Sequence, residues 1–251
     1  MNKHLLFALI SVFLINQLHA QNSNNFEHIN HSLHIGKTVG KITLDGILDE
    51  ATWQTAEQTT PFIQSIPYDT LRAHAVTEVK LAFDDANIYV AARCYQRKNT
   101  YVVQSLKRDF PSGTTDVFAF LIDPFSDKRN GFSFTVSPLG VQREGLVANG
   151  NEFSTDWDNR WLSKVVTYDD FFIVEMAIPF KSLRYKTVDG VNEWLINFLR
   201  YDQSQKLAER SNWAFIPRFS NGNNMAFSGR LIWDEVPPKP SGKNIAFIPT
   251  R

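Results

Sequence analysis

The sequence predicts an all-β fold, an antiparallel β-sandwich with jelly-roll-like topology and a few short helical turns. Three observations predict it. Alternating or β-rich runs recur along the chain, short turns rich in Asp, Asn, Pro and Gly separate several of them, and 20 Phe and 6 Trp supply a large apolar core. A chain of 251 residues is long enough to bury such a core in one large domain.

The strands are predicted where apolar residues alternate with polar ones, or where β-branched and aromatic residues cluster. These runs lie at residues 41–44, 77–83, 88–95, 116–123, 131–137, 141–148, 162–168, 171–178, 193–201, 212–216 and 227–233. Because hairpin-like turns join several consecutive runs, we expect neighbouring strands to be antiparallel. Helical turns are predicted only at residues 49–56, 101–106 and 179–183.

Residues 41–53, KITLDGILDEATW, contain the most informative local pattern. Ile42 and Leu44 alternate with polar residues as in a strand that is buried on one face, and Gly46 readily adopts the positive φ of a turn. Asp49 is placed to cap a short helix, and Trp53 is placed to anchor that helix on a core. The pattern predicts a strand, a turn and a helix start in succession.

The chain is predicted to divide into four segments. Residues 1–20 resemble a secretory signal peptide, with Lys3 before an apolar run and Ala20 at the cleavage site. Residues 21–33 are predicted to be a flexible leader, residues 34–235 the sandwich domain, and residues 236–251 a Pro-rich linker or tail. We therefore expect an exported protein, located in the periplasm, at the outer membrane or outside the cell.

Charge and cysteine content narrow the classes of function. The chain has 26 basic and 26 acidic residues, and loss of Lys3 with the signal peptide leaves a formal charge of −1, which argues against nucleic acid as a partner. Cys94 is the single cysteine, so no intramolecular disulfide can form, and its place on an apolar strand face predicts burial. No transmembrane helix is predicted in the mature chain.

The densest group of candidate ligand-binding side chains lies at residues 155–161. Trp157 and Trp161 could stack on the apolar face of a sugar ring, while Asp156 and Asp158 could bind its hydroxyl groups. The alternative is that both Trp side chains plug one end of the sandwich while one of the acids pairs with Arg160. The residues alone leave both interpretations open.

A second group, Arg108 and Asp109, lies in an irregular segment before Asp116. Loops at the end of a sandwich often carry binding groups, but a solvated charged loop would have the same composition. No catalytic residue is assigned, because the carboxylates that could form a glycosidase pair are too many to choose between. An enzyme is therefore the less favoured class, and a hydrolase of O-glycosyl bonds is the form it would take.

No cofactor is assigned, but one turn offers oxygen ligands of the kind that Ca²⁺ takes. Asp123, Asp127 and Asn130 are its weak candidate metal ligands, and they lack the spacing of an EF-hand loop. Turn formation explains Asp, Asn, Pro and Gly equally well without a metal.

Several motifs together carry a family resemblance. LDGILDEATW at residues 44–53, VKLAFDDANIYV at 79–90, DVFAFLID at 116–123, VEMAIPF at 174–180 and GRL at 229–231 resemble the family-nine carbohydrate-binding modules and their DOMON-like relatives. RD at residues 108–109, GFSFTVSP at 131–138, DWDNRW at 156–161 and IPFKSLR at 178–184 are similar to the amino-terminal domain of large Gram-negative outer-membrane proteins of unassigned function. The resemblance implies a DOMON-like sandwich.

The same resemblance implies where a sugar would bind, and this sequence departs from it there. Family-nine modules clamp sugar between two Trp residues; one of these positions is Gly113 here, and the other falls near residues 224–225, which are Asn and Met. The acid expected at Ala119 and the basic residue expected at Thr135 are also absent. A glycan would then need a different set of residues, for which Trp157, Trp161, Trp213, Arg108 and Arg200 are the candidates.

The resulting prediction is an exported, non-catalytic carbohydrate-binding-like module at the cell envelope that takes part in polysaccharide breakdown. Its expected partner is a polysaccharide or oligosaccharide. Two alternatives stay open: a docking domain for an outer-membrane β-barrel protein with no glycan ligand, and a glycoside hydrolase.

Overall fold

The computed structural model describes residues 30–69, 71–111, 113–185, 193–204 and 206–239. These residues contain one α-helix, α1 (Ala51–Thr55), and 3₁₀ turns at Lys98–Thr100, Phe180–Ser182 and Met225–Phe227. The thirteen strands of the described chain are β1 (Ser32–Lys37), β2 (Ile63–Ile66), β3 (Thr77–Phe83), β4 (Asn87–Tyr95), β5 (Val117–Asp123), β6 (Gly131–Val136), β7 (Gln142–Ala148), β8 (Glu152–Ser154), β9 (Leu162–Thr167), β10 (Phe171–Pro179), β11 (Glu193–Asp202), β12 (Glu209–Asn212) and β13 (Gly229–Trp233).

The strands form one curled sheet whose two halves face each other as a sandwich. The front sheet has the order β8-β7-β6-β5-β11-β13-β1, with β12 beside the second half of β11 and β2 beside β12. The back sheet has the order β1-β3-β4-β10-β9. The predicted all-β sandwich and its hairpins β3-β4, β6-β7 and β9-β10 are confirmed, and β5 also pairs with β6 in antiparallel fashion.

Strand β1 connects the two sheets. Its first four residues pair with β13 in the front sheet, and Gly36 and Lys37 then pair with β3 in the back sheet. Both pairings are parallel, so the expectation that all neighbouring strands run antiparallel is wrong for this strand. Strand β1 begins at Ser32, and His31 is buried with its ring edge against Trp213, so the packed chain begins before residue 34.

The main core lies between the sheets and is aromatic. Phe118 and Phe120 on β5 point inward and stack on Phe198 of β11. They face a second layer of fully buried aliphatic side chains from the back sheet, including Val90 and Val174. Because strand side chains alternate, the residues between the inward Phe side chains of β5 face outward and form the surface on which the candidate site lies.

The 41–53 segment covers the outer face of the back sheet. The predicted strand at 41–44 is wrong: Ile42 and Leu44 pack with Trp53 on that face, but the segment lies in no β-ladder. The turn is confirmed, with Gly46 at φ 89°, and α1 follows it with Glu50 rather than Asp49 as its N-cap residue. The burial of Trp53 (2% exposed) makes this segment a packed part of the sandwich.

Other element boundaries differ more. The strand predicted at 212–216 lies at β12 (Glu209–Asn212), and the helical turn predicted at 101–106 is replaced by Lys98–Thr100. Strands β1, β2 and β8 are not among the predicted runs.

Cys94 is fully buried, as predicted, and burial raises the pKa of its thiol to about 12. No helix in the described chain is long and apolar enough to cross a membrane. The predicted signal peptide at residues 1–20 lies outside the described residues.

Candidate binding site

A cleft of about 210 Å³ lies on the outer face of the front sheet. Its floor is set by the register of four adjacent strands, where Arg143 pairs with Thr135, Thr135 with Ala119, and Ala119 with Leu199. Residues that pair directly across a sheet project from the same face, so these four side chains form one row. The row runs from a guanidinium through a hydroxyl to two apolar side chains.

A second row and two loops enclose the cleft. Val117 pairs with Tyr201, and Tyr201 pairs with Arg210 on β12. Phe110 and Gly113 line one side, and the loop Asn221-Gly222-Asn223 lines another. A Cβ atom at Gly222 would lie 2.6 Å from Leu199 Cδ1, so a larger residue there would require the Leu199 side chain or the loop to shift.

Arg143 is the most unusual side chain of the cleft. It is half-buried, its guanidinium carbon lies 4.1 Å from the centre of the Phe153 ring, and its Nε is buried without a hydrogen-bond partner. No carboxylate of the described chain lies within ion-pair distance, 4.0 Å, of its nitrogens. Burial lowers the pKa of Arg143, and the charge of the exposed Asp109 acts in the opposite direction. The guanidinium is therefore poorly solvated and has no close countercharge.

Arg210 lies at the other end of the cleft and is more deeply buried than Arg143. Its Nε donates to Ser65 Oγ at 2.8 Å, and one terminal nitrogen donates to the Ser220 carbonyl at 2.9 Å. Both of these acceptors are neutral oxygens, and burial lowers the pKa of the Arg210 guanidinium. Two arginines thus line one cleft, and none of the described residues that line it is acidic.

The predicted sugar-stacking residues Trp157 and Trp161, here called the Trp cluster, lie outside the cleft, at one end of the sandwich. Trp161 is buried and packs on Phe134, while the half-buried Trp157 packs on both Phe132 and Phe134. The Trp161 Nε1 donates to Glu144 Oε2 at 3.3 Å. This is the plugging arrangement that the sequence left as an alternative to a sugar platform.

Arg108 joins this group in place of Arg160. It binds the buried Glu144 carboxylate, donates to Gln142 Oε1 at 2.6 Å and lies 3.6 Å from the exposed Asp158. Burial raises the pKa of Glu144, and the contacts with Arg108 and Trp161 oppose that rise. Three predicted site residues, Arg108, Asp158 and Trp161, are therefore brought together around an acid that the sequence did not single out as a ligand-binding residue.

The remaining members of the two predicted groups lie close by. Asp156 accepts a hydrogen bond from Ser154 Oγ at 2.9 Å and is exposed. Asp109 is exposed at a positive φ of 58°. Its backbone N–H donates to the Gln142 carbonyl of β7 at 3.1 Å, and its charge acts on Arg143.

Arg200 and Trp213 do not lie on a ligand-accessible surface, which corrects their assignment as ligand-binding residues. Arg200 is fully buried, stacks over Phe172 at 5.0 Å and donates to the Val117 carbonyl and to the Gln96 side chain. Trp213 is 1% exposed and packs on Phe198 in the core. The alternation that points Phe198 inward also points Arg200 inward.

The three candidate calcium ligands act as turn residues. Asp123 is buried and accepts backbone N–H donors from Phe125 and Lys128, while Asp127 accepts from the backbone of Arg129 and Asn130. Burial raises the pKa of Asp123, and the hydrogen bonds from Asn130 keep the pKa of Asp127 below its usual value. No group of three or more His, Cys, Asp or Glu side chains that could hold a metal occurs in the described part of the chain.

Comparison with solved structures gives matches over most of the chain. A family-nine carbohydrate-binding module from Caldicellulosiruptor kristjanssonii, solved with cellotriose, matches with a TM-score of 0.56 and 18% identity, covering 88% of this chain and 99% of the module. The chain shares the fold of the family-nine modules. A second structure from that organism, solved with glucose, has a TM-score of 0.54 at 18% identity, with 84% of this chain and 99% of that one covered.

A third match comes from Bacteroides uniformis ATCC 8492 and is described as a candidate carbohydrate-binding protein. Its TM-score is 0.62 at 14% identity, and the match covers 81% of this chain and 99% of that protein. No family model and no curated protein matches the chain by sequence.

The positions to which the family-nine resemblance assigns sugar contacts lie in the cleft. Gly113, Ala119 and Thr135, the three single positions at which this sequence departs from the family-nine pattern, all line the cleft. The loop at residues 221–223 also lines the cleft, and it directly precedes residues 224–225, where the family-nine resemblance places the second Trp. The expected acid and the expected basic residue are thus replaced by small side chains, while an arginine lies one strand further along the same row.

Sequence reasoning missed Arg143, Tyr201 and Arg210. The first could have been found by counting register across the hairpin at residues 138–140, which places Arg143 opposite Thr135. Tyr201 and Arg210 needed the pairing of β11 with β12, and the predicted position of that strand was several residues too late.

Proposed function

We propose that this chain is a non-catalytic carbohydrate-binding module whose site is the cleft on the front sheet. The observation that carries the proposal is positional: the family-nine resemblance assigns sugar contacts to Gly113, Ala119 and Thr135, and these three residues line one cleft. They lie on three successive segments, the loop before β5, strand β5 and strand β6.

The chemistry of the lining suits a sugar. Val117, Ala119 and Leu199 give an apolar floor, on which a pyranose can lay its C–H face. Thr135 and Tyr201 add hydroxyl groups, and the loop at 221–223 adds two amides at the rim. At about 210 Å³ the cleft is smaller than a drug-sized pocket of roughly 300–1,000 Å³, so it suits one or two sugar units rather than a long chain.

Two structural matches support the same class of ligand. They were solved with cellotriose and with glucose, and each is covered over 99% of its length by this chain. Export and a place at the cell envelope belong to the proposal through the predicted signal peptide at residues 1–20. A role in polysaccharide breakdown rests only on the family-nine resemblance.

The test is isothermal titration of the full mature chain against a panel of neutral and acidic oligosaccharides. Tyr201→Ala removes a side chain that lines the cleft, and Trp157→Ala is the matched control because it removes an aromatic side chain at the Trp cluster. We expect binding of at least one glycan, at least ten-fold weaker in Tyr201→Ala and unchanged in Trp157→Ala. Absence of binding across the panel would contradict a carbohydrate function, and selective loss in Trp157→Ala would move the site to the Trp cluster.

A further inference from the structure

The charge of the cleft goes beyond what the proposed function requires. Arg143 and Arg210 line it from opposite ends, and none of the described residues that line it is acidic. Four strand spacings of about 4.8 Å separate β7 from β12, so the two backbones are roughly 19 Å apart and both side chains can extend toward the floor between them. A ligand on that floor is exposed to positive charge from both sides.

The guanidinium of Arg143 is packed against a ring and can accept an anion as a partner. Phe153 supports one face of the guanidinium, and the Nε atom is buried without a hydrogen-bond partner. A half-buried guanidinium without a close carboxylate has lost part of its hydration without gaining an ion pair, and an anion that accepts two parallel N–H donors would restore the loss. Arg210, by contrast, already donates to Ser65 and Ser220.

Ala119 removes the group that a neutral sugar would use. A carboxylate accepts hydrogen bonds from sugar hydroxyls, and the family-nine resemblance implies one at this position, where the chain has a methyl group. Arg143 lies two strands away from Ala119 in the same row, and Thr135 lies between the two. Relative to that pattern, the row has lost its acid, while its basic side chain lies one strand further along, at Arg143 instead of Thr135.

We propose that the cleft binds an acidic saccharide, one that carries a carboxylate or a sulfate group, and that Arg143 binds this group. The inference rests on the proposed carbohydrate function and specifies its ligand class. Arg143 supplies the charge-assisted hydrogen bonds, Tyr201 and Thr135 bind hydroxyl groups, and the apolar floor supports the ring. Arg210 adds positive charge at the far end.

The experiment titrates the mature chain with trimers of galacturonic acid and of mannuronic acid and with a sulfated disaccharide. Each probe is paired with its neutral form, the methyl ester or the unsulfated sugar. Wild type is compared with Arg143→Gln and Arg143→Lys. The control is Arg93→Gln, since Arg93 also lies over a phenyl ring, Phe171 at 5.2 Å, but on the back sheet. Circular dichroism and the thermal midpoint establish that each variant is folded.

We expect at least one acidic probe to bind the wild type about ten- to hundred-fold more tightly than its neutral form, with affinity that falls as salt is raised. Arg143→Gln should bring the two forms to equal affinity, Arg143→Lys should retain part of the preference because it keeps the charge without the planar fork, and Arg93→Gln should retain all of it.

Three results would overturn the inference. If neutral sugars bind as tightly as acidic ones and Arg143→Gln has no effect, the carbohydrate function stands and the acidic ligand class is wrong. If none of the sugars binds, both proposals fail together. If inorganic sulfate binds in an Arg143-dependent manner while no saccharide does, the cleft is an anion site and the saccharide is wrong.

Discussion

Substitution of Gly46 by alanine tests whether the 41–53 segment is a packed part of the sandwich. A Cβ atom at this position would lie 2.1 Å from Val166 Cγ2 and 2.6 Å from Val166 Cβ, far inside van der Waals contact. Both contacts are with a β-branched side chain on strand β9, which cannot rotate freely out of the way. The backbone N–H of Gly46 also donates to the buried Glu175 carboxylate at 2.6 Å, so displacement of the turn would weaken that bond.

The size of the loss follows from two contributions. Alanine at a φ of 89° costs about 1–2 kcal/mol of backbone strain, and overpacking against Val166 costs about 1–3 kcal/mol more. Gly40 provides the control, because it has a similar φ of 81° and nothing within 4 Å of its Cβ position. Gly40→Ala should therefore lose only the strain contribution, and Gly46→Ala should lose about 2–5 kcal/mol in total.

The assay is urea unfolding followed by tryptophan fluorescence, with Trp53 in the same segment as a nearby reporter. We expect a free energy of unfolding for Gly46→Ala that is about 1–3 kcal/mol below that of Gly40→Ala. Equal losses in the two variants would refute the reasoning, because they would show that the turn does not press on β9.

Three further predictions concern buried groups. Burial raises the pKa of Glu175 from its ordinary 4.5 to about 7, so the folded state holds this proton more tightly than the unfolded state. The protonated Glu175 therefore stabilises the fold fully below pH 4.5, and this contribution, up to about 3 kcal/mol, is lost as the pH rises through 7. In Glu175→Gln, the free energy of unfolding should depend less on pH between 4.5 and 7. An unchanged pH dependence in this variant would contradict the prediction. Cys94, whose burial raises the thiol pKa to about 12, should react with a thiol reagent only in urea, and rapid reaction of the native protein would show that it is accessible. Arg200→Met should lower the free energy of unfolding by about 2–4 kcal/mol, because it leaves the Val117 carbonyl and the Gln96 side chain without their donor. The glycan affinity of the folded variant should stay the same. Weaker glycan binding would show that Arg200 is a ligand-binding residue after all.

The local pattern of the chain was enough to predict most strands and their hairpins. Alternation places Phe118 and Phe120 inward, and the short turns fix the register of consecutive strands such as β3 and β4. Strand β1 was missed because its partners β13 and β3 are not adjacent to it in sequence. Parallel pairing between distant segments depends on the closed sandwich as a whole and leaves little signal in a six-residue run.

The candidate site was harder to predict for a related physical reason. Local density singled out the residues around Trp157 and Trp161, yet those side chains pack on Phe134 at the sandwich end. The floor of the cleft is assembled from one or two residues of each of β5, β6, β7, β11 and β12, which meet only through register. Its position was implied by the family-nine resemblance, while the role proposed for Arg143 required the structure.

A crystal structure of the mature chain with a bound acidic trisaccharide tests the central claim most directly. The account predicts electron density for a sugar on the outer face of the front sheet, with its acidic group within hydrogen-bond distance of the Arg143 guanidinium and its ring over Leu199. Density for the sugar against Trp157 at the sandwich end, with the cleft between Arg143 and Tyr201 left to solvent, would contradict it.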